Sequence, residues 1–260
     1  MRGIDGGAPF DWSRTSQSYA VWRDIYPPEF YQRLLDRGLC VQGQRVLDLG
    51  TGTGVLPRAL YQYGASFTGV DSAPGQIEQA RRLAEAAGMD ISFLCNPAEE
   101  IDVPAASFDV VTACQCFVYF DHARLSRLVS RALKPGGRFA VLYMAWLPEE
   151  DPVAGQSEDL VLKYNPAWTG WGEVRHAIEI PEVYREDFEV EHSEVFDLLV
   201  PFTRESWNGR MRACRGIGAS LPAEAADRFE EEHRALLEQI APEGFRVLHY
   251  GAVAILRKRA

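Results

Sequence analysis

The protein has 260 residues and a formal net charge of -10. A chain of this length can bury a core without disulfides or structural metals. The acidic balance argues against sequence-independent binding of nucleic acid, which requires clustered Lys and Arg. No apolar run reaches the roughly 18 residues of a membrane span, and residues 1–7 lack the apolar core of a secretory signal. These totals predict a cytoplasmic protein that acts on small molecules.

The five cysteines are odd in number and scattered, which fits reduced thiols rather than a disulfide framework. Cys114 and Cys116 share one face of a predicted strand. Two interpretations stay open for them, a bound metal or metalloid and buried structural thiols. The second is favoured because free cysteine is commonly a small core residue. No metal site is predicted, since His176, His233 and His249 show no metal-ligand spacing.

The first 44 residues precede the first predicted strand and contain several aromatic side chains. Residues 29–39 place Phe30, Leu34 and Leu35 at helical spacing, and Gly38 is a typical helix stop. A short helix is therefore predicted before the first strand.

The next stretch, residues 45–54, is an apolar strand that continues into a glycine-rich turn. Gly50, Gly52 and Gly54 stand at alternate positions. Glycine removes the steric cost of positive φ and lets the backbone approach a ligand closely. Asp48 distinguishes this turn from a dinucleotide site, because a carboxylate two residues before the first glycine would repel a pyrophosphate. The pattern favours a ligand with a cationic centre and no phosphate.

Residues 46–54 resemble the first motif of class I S-adenosylmethionine-dependent methyltransferases, in the small-molecule subgroup similar to methyltransferase type 11. The resemblance implies that S-adenosylmethionine is the cofactor. The motif residues expected to bind it are Asp48, Gly50, Thr51, Gly52 and Gly54. The resemblance also implies an N-terminal helical lid, in which Tyr19 and Arg23 would lie near the cofactor and Tyr26 near the acceptor. Packing of the lid against the sheet is an alternative role for these three residues.

A helix is predicted over residues 55–63, followed by a second strand over residues 66–71. This strand ends in Asp71, where a carboxylate can accept hydrogen bonds from both ribose hydroxyls of a nucleoside. The resembling methyltransferases share this acid, which Ser72 follows, and both residues are assigned to the cofactor site. A polar helix is predicted over residues 77–88.

The third predicted strand, residues 91–95, is followed by a segment in which relatives often carry an aspartate that bonds the adenine amino group. Pro97 occupies that place here. Adenine recognition is therefore left to Asn96, Ala98, Glu99 or backbone groups, and Ala98 and Glu99 are assigned to the cofactor site. Glu99 is equally well explained as an acid at a helix start, facing the macrodipole.

Residues 108–116 form the fourth predicted strand, whose near-continuous apolar character suits a central parallel strand. Ligands meet the carboxyl ends of such strands, so Gln115 is assigned to the cofactor site. A helix is predicted to begin at His122. No catalytic residue is assigned, because methyl transfer mainly requires alignment; His122, Tyr119 or Glu149 would be candidate bases for a hydroxyl or an acidic carbon.

Residues 133–139 are similar to a second methyltransferase motif, which predicts a helix end, a Pro-Gly turn and the entry into a fifth strand. Together the resemblances imply an α/β fold: a Rossmann-like, doubly wound, mostly parallel seven-stranded sheet with an antiparallel C-terminal edge, an N-terminal helical lid and an insertion after strand 5. We expect a single methyltransferase domain with four segments: a lid (residues 1–44), a cofactor-binding half (45–145), an acceptor-site insertion (146–182) and a C-terminal sheet edge with helices (183–260).

The insertion is rich in aromatic residues and longer than an ordinary strand-to-helix connection, which is typical of a functional loop or lid. Because it follows the carboxyl end of the fifth strand, Trp146, Trp168 and Trp171 are assigned to the acceptor site. There they would bind a planar group and exclude water. A packed insertion without substrate contact is the alternative.

Strands predicted over residues 188–201 and 245–256 form the antiparallel edge. Between them lie Trp207 and three arginines, Arg210, Arg212 and Arg215. Trp207 and Arg210 complete the acceptor site, and an anion-binding interpretation is open because guanidinium groups pair carboxylates bidentately. Intramolecular ion pairs or a solvated face are the more common explanation of such a cluster.

The sequence thus predicts an S-adenosylmethionine-dependent methyltransferase acting on a small molecule, either anionic or aromatic, without nucleic-acid or membrane partners. Its oligomeric state is left open. A non-catalytic S-adenosylmethionine-binding protein is the first alternative, because the acceptor half carries no diagnostic catalytic residue. A nicotinamide-dependent oxidoreductase is disfavoured by Asp48, by the glycine spacing and by the absence of Tyr-x-x-x-Lys. Nucleic-acid amino methylation is disfavoured because no Asn/Asp-Pro-Pro-aromatic motif follows the fourth strand.

Overall fold

The computed structural model describes residues 5, 10–15, 21–22 and 25–259. The chain clusters into two compact units. Unit 1 comprises Met1–Pro27, Ala145–Arg175 and Asp197–Tyr250, and unit 2 comprises Pro28–Met144, His176–Phe196 and Gly251–Ala260. The expectation of one domain with four segments stays a prediction.

Seven strands form one sheet. They are β1 (Arg45–Leu49), β2 (Ser66–Asp71), β3 (Ser92–Cys95), β4 (Phe108–Cys114), β5 (Leu133–Trp146), β6 (Phe188–Thr203) and β7 (Gly244–Lys258). Their order is β3-β2-β1-β4-β5-β7-β6. Strands β1 to β5 pair in parallel, and the last strand of the chain lies between β5 and β6. The predicted Rossmann-like sheet with its antiparallel C-terminal edge is confirmed.

Seven α-helices have bounds among the described residues. They are α1 (Pro28–Leu35), α2 (Val55–Leu60), α3 (Pro74–Ala86), α4 (His122–Ala132), α5 (Pro152–Tyr164), α6 (Arg204–Arg212) and α7 (Ala223–Ile240). Side-chain caps explain several starts: Asp121 caps α4, Asp151 caps α5, and Thr203 forms a capping box with Ser206 at α6. Over the described stretches, each helix falls short of the length and apolar character that crossing a bilayer requires.

The core of unit 2 explains why its strands are apolar almost throughout. Leu47, Val111 and Phe139, from three neighbouring strands, are fully buried in one cluster with residues of α4. Parallel strands covered on both faces require such continuous apolar runs. This rigid layer holds the carboxyl ends of β1, β2 and β4 in place.

Two local predictions differ from the structure. The Pro-Gly segment was predicted to precede the fifth strand, but β5 already begins at Leu133, beside Phe108 of β4. The register of this pair shifts after Phe108, and Gly136 takes a φ of 71° in the turn. The insertion is not only a long loop, since α5 occupies residues 152–164. Asp151 before Pro152 is a helix-start signal that outweighs the aromatic composition.

The thiols also differ from one another in burial. Cys40 and Cys214 are buried, as structural cysteines usually are. Cys114 and Cys116 are half-buried, and Cys95 is exposed. The interpretation of Cys114 and Cys116 as buried structural thiols therefore fits them only in part, because both are half-buried.

Asp151 and Asp121 are matched helix caps that differ in one contact. Asp151 Oδ1 accepts from the N–H groups of Val153 and Ala154 at 3.0 Å each, and its Oδ2 accepts from Leu248 N–H at 2.8 Å. Asp121 accepts only from its own helix, at 3.0 and 3.1 Å. We expect Asp121→Ala to lower the free energy of unfolding by about 1 kcal/mol.

Asp151→Ala should cost about 2 to 3 kcal/mol, because it also removes the partner of a strand N–H in β7. Urea denaturation of both variants measures the difference. Equal losses would show that the contact between Asp151 and Leu248 contributes nothing to stability.

Candidate functional site

Asp48 is a buried carboxylate at the carboxyl end of β1. The sheet register places Gly69 of β2 and Thr112 of β4 beside it. Thr112 Oγ1 donates to Asp48 Oδ1 over 2.6 Å, and the side chain is only 2% exposed. Burial raises the pKa of Asp48 to about 6, and the nearby charge of Asp71 adds to this shift. An ionised carboxylate here lacks a compensating cation among the described residues.

Asp71 ends β2 and ties that strand to the glycine-rich turn. Its Oδ2 accepts from Gly52 N–H and its Oδ1 from Ala73 N–H, both over 2.9 Å. Burial nevertheless raises the pKa of this carboxyl above its usual value. The two acids thus meet at one edge of the sheet, as the carboxyl ends of adjacent parallel strands must.

The turn after β1 needs glycine at two positions for different reasons. Gly50 has a φ of 62°, and a Cβ there would lie 2.7 Å from the side chain of Cys116. Gly54 has a φ of 74°, and its Cβ would lie 2.9 Å from the ring of Phe93. The buried Thr53 hydroxyl has no hydrogen-bond partner within the described part of the chain. The turn therefore brings its backbone close to neighbouring side chains and leaves the Thr53 hydroxyl without a partner among the described residues.

The remaining residues assigned to the cofactor lie in unit 2 around the same edge. Thr51 is buried and its N–H donates to Val70 over 2.9 Å, Ser72 is exposed, and Ala98 is buried. Glu99 accepts from Asp121 N–H over 2.9 Å, which agrees with its alternative role at a helix start. Tyr19 and Arg23 lie outside the described residues.

Gln115 follows β4, which ends two residues earlier than predicted. Its backbone has a φ of 67°, a left-handed conformation that costs a non-glycine residue free energy. Its side-chain amide donates to the Met144 carbonyl, and its N–H donates to Leu142 over 2.9 Å. This strained position at a strand end is typical of a functional site.

Four of the residues assigned to the acceptor lie together in unit 1. Trp146 Nε1 donates to Glu158 Oε1 over 2.7 Å, and Trp168 Nε1 donates to Glu158 Oε2. The Arg210 guanidinium lies 4.6 Å from the Trp146 ring centroid, and the Trp207 ring packs edge-on against Trp146 at 5.3 Å. A buried carboxylate is thus surrounded by indole N–H groups and one arginine.

The other two acceptor residues have different surroundings. Trp171 is partly exposed and donates to Asp159 over 2.9 Å rather than to Glu158. Tyr26 is half-buried, in the part of unit 1 that precedes α1. The geometry gives neither residue a place in the group around Glu158.

The arginine cluster divides between two roles. Arg212 pairs with Asp227 and Glu230 at 2.6 and 3.1 Å, and Arg215 pairs with Asp5 at 2.6 Å. These two follow the ion-pair interpretation. Arg210 is buried beside Trp146, and its charge lies close enough to Glu158 to act on the pKa of that carboxyl.

The sequence interpretation missed Glu158. It lies in α5, is fully buried, and burial raises its pKa to about 7 despite the two indole donors. An ionisable residue within a helix is ordinarily on the surface, so no local signal identified it. The helix-start pair of Asp151 and Pro152 would have shown that it lies on a helix.

Two buried histidines in unit 1 were also left without a role. His233 joins three helices: its Nδ1 is 2.7 Å from Asn208 Oδ1, and its Nε2 is 2.9 Å from Ser157 Oγ. Ser157 also accepts from Trp207 Nε1 over 2.9 Å. All of these side chains are buried, so this network stabilises packing. His249 differs, because only one of its ring nitrogens has a partner among the described residues.

Comparison with known proteins agrees with this geometry. Residues 46–137 match the family model described as Methyltransferase domain. An uncharacterised methyltransferase of Mycobacterium tuberculosis is 33% identical over 150 residues, which is 55% of this chain and 58% of that protein. A demethylmenaquinone methyltransferase of Thermus thermophilus is 40% identical over 114 residues, 43% of this chain and 52% of that protein. The chain spans about half the length of these curated relatives.

Among solved structures, the cyclase SpnF aligns over 98% of this chain and 99% of that chain, with a TM-score of 0.55 and 18% identity. Such a likeness shows the fold alone. The matched family region contains β1, the glycine turn, the buried Asp48 and the half-buried Asp71. Residues 46–137 are thus similar to a methyltransferase domain, which implies S-adenosylmethionine as the methyl donor.

The residues of unit 2 fit that donor on their own chemistry. The buried Asp48 and the half-buried Asp71, for which the described residues supply no compensating cation, suit a ligand that carries sulfonium and ammonium charges. Glycine at positions 50 and 54 leaves room for the side chains of Cys116 and Phe93, and this packing sets the shape of the turn. The match between these residues and S-adenosylmethionine does not require a phosphate-binding site.

The raised pKa of Asp48 predicts a pH-dependent cost to stability. The pKa rises from about 4 in an unfolded chain to about 6 in the fold, so the cost is absent below pH 4, grows between pH 4 and 6, and is fully present above. It should reach about 3 kcal/mol at neutral pH. The free energy of unfolding of Asp48→Asn, relative to that of the natural protein, should therefore be higher at pH 7 than at pH 4 by about this amount. Urea denaturation of both proteins at the two pH values measures it.

Asp109→Asn is the control, because the pKa of Asp109 is shifted in the opposite direction. Burial works to raise the pKa of Asp109, but the Arg45 N–H and the Lys134 ammonium outweigh it and lower the pKa. This variant should be less stable than the natural protein at neutral pH. A stability difference for Asp48→Asn that does not change with pH would contradict the buried-charge explanation.

Proposed function

We propose that the chain transfers the methyl group of S-adenosylmethionine to a small planar acceptor. The observation that carries the proposal is the pair of acids, the buried Asp48 and the half-buried Asp71, at the carboxyl ends of adjacent strands beside the glycine turn. Their raised pKa values mean that a cation would be bound with a gain in favourable charge interaction. The same two carboxylates would repel the pyrophosphate of a dinucleotide.

The cofactor would supply a methyl carbon already activated by a sulfonium group. Asp48 would hold the cationic end, and Asp71 would accept hydrogen bonds from the ribose hydroxyls. The backbone at Gly50, Gly52 and Gly54 would lie against the ligand. Around it would be the other assigned residues, Thr51, Ser72, Ala98, Glu99 and Gln115. The protein then contributes alignment and the exclusion of water.

The acceptor would bind in unit 1, near Trp146, Trp168, Trp207 and Arg210. Indole rings offer planar apolar surface, and Arg210 would meet any negative charge on the ligand. The name of the Thermus relative, a demethylmenaquinone methyltransferase, supports a planar acceptor. Roles for Tyr26 and Trp171 in acceptor binding, the lid roles of Tyr19 and Arg23, and a cytoplasmic location stay predictions from the sequence.

Titration calorimetry with S-adenosylhomocysteine tests the cofactor site. The natural protein should bind it, and Asp71→Asn should bind about 10- to 100-fold more weakly, because charge-assisted hydrogen bonds to two hydroxyls are weakened. Asp109→Asn is the matched control: it removes a carboxylate at the opposite, amino end of β4 and should leave the dissociation constant unchanged. No binding to folded natural protein would refute the proposal.

Turnover separates transfer from binding. Tritiated methyl groups from S-adenosylmethionine should appear in a product when the protein is incubated with a panel of phenols, amines and quinols. Binding of S-adenosylhomocysteine without transfer to any acceptor would instead favour a non-catalytic cofactor-binding protein.

A further inference from the structure

His249 has one ring nitrogen that the fold leaves without a partner. The side chain belongs to β7 and is 1% exposed. Its Nδ1 lies 3.0 Å from the Val247 carbonyl oxygen. Its Nε2 is fully buried and has no hydrogen-bond partner in the described part of the chain. Buried polar atoms are nearly always hydrogen-bonded, so this exception needs an explanation.

The contact with Val247 assigns the tautomer. A carbonyl oxygen can only accept, so Nδ1 carries the proton and donates, which leaves a lone pair on Nε2. Burial lowers the pKa of His249 to about 3, and the Arg210 charge disfavours protonation further. Nε2 is therefore a neutral acceptor that requires a donor from another molecule.

Three buried aromatic rings pack around the imidazole. The ring centroids of Trp146 and Phe202 lie 6.0 Å from it and that of Trp207 lies 6.3 Å away. The Trp146 and Trp207 N–H groups are already used, by Glu158 and Ser157. None of these indole donors is available to His249, although all three rings offer apolar surface.

We infer that His249 Nε2 binds the methyl acceptor by accepting a hydrogen bond from its hydroxyl or amine hydrogen, while the acceptor's planar part contacts the neighbouring aromatic rings. This inference rests on the proposed function and narrows its acceptor to a planar molecule with an O–H or N–H donor. A site that leaves a buried acceptor unpaired discriminates strongly against an analogue that lacks the donor. His249 is thus a specificity-determining residue.

Two ligands test this inference, one with an O–H donor and one in which a methyl group replaces the hydroxyl hydrogen. Titration calorimetry is run in the presence of S-adenosylhomocysteine with 2-naphthol and with 2-methoxynaphthalene. The natural protein should bind 2-naphthol at least about 10-fold more tightly. His249→Phe keeps an aromatic ring but removes Nε2, and it should lose this preference while its affinity for S-adenosylhomocysteine stays unchanged.

His233→Phe is the matched control, because His233 is equally buried but both of its ring nitrogens already have partners. It should lower thermal stability and keep the preference for 2-naphthol.

A measurement on the natural protein does not depend on either variant folding. In that measurement, the ¹⁵N resonance of His249 Nε2 should move upfield when 2-naphthol is added, as a lone pair does on accepting a hydrogen bond.

The outcomes separate the two proposals. Lack of S-adenosylhomocysteine binding would overturn the proposed function. If S-adenosylhomocysteine still binds, four results would each overturn the role of His249. They are that 2-naphthol does not bind, that the natural protein does not prefer it, that His249→Phe keeps the preference, or that the Nε2 resonance does not move.

Discussion

The carboxylate of Asp48 is buried at the end of β1, and the free-energy cost of that burial is the constraint on which the cofactor half depends. Thr112 supplies one short hydrogen bond from the neighbouring strand, and the sheet register sets that distance. Hydrogen bonding by hydroxyl groups does not offset the loss of water around a charge, as the raised pKa of Asp48 shows. The fold retains a charge that lowers its stability, which is typical of a site that functions only with its ligand.

Unit 1 is built around a buried carboxylate of a different kind. Glu158 accepts from two indole N–H groups, and these contacts hold Trp146 and Trp168 in fixed orientations. Arg210 lies over one of the same rings. Removing any one member would leave the others with unmet hydrogen bonds or uncompensated charge, so the group must act as a unit. Fixed aromatic surfaces bind a planar ligand with little loss of side-chain entropy.

The sequence was sufficient around Asp48, where local rules decide the structure. The strand, glycine turn and helix around Asp48 are set by apolar periodicity and by positive φ, and both are visible within ten residues. Long-range contacts were not visible. The burial of Glu158 depends on Trp146 and Trp168 coming together in three dimensions, and its own neighbours in α5 do not reveal it. Gln115 was identified by its place after a strand, but its left-handed backbone was not.

The same distinction explains why fold and reaction must be argued from different residues. The fold is shared with a protein described as a cyclase, at almost complete coverage of both chains, so the sheet does not specify the chemistry. In the proposed function, Asp48 and Asp71 of unit 2 would select a donor by charge. Selection of an acceptor by hydrogen bonding must come from polar atoms that have no partner within the fold. Among the described residues of unit 1, the indole N–H groups of Trp146, Trp168 and Trp207 are engaged, as are Ser157 and His233. Nε2 of His249 has no partner there. Because a buried acceptor atom favours ligands that can donate to it, we expect this one nitrogen to distinguish a hydroxyl acceptor from its methyl ether.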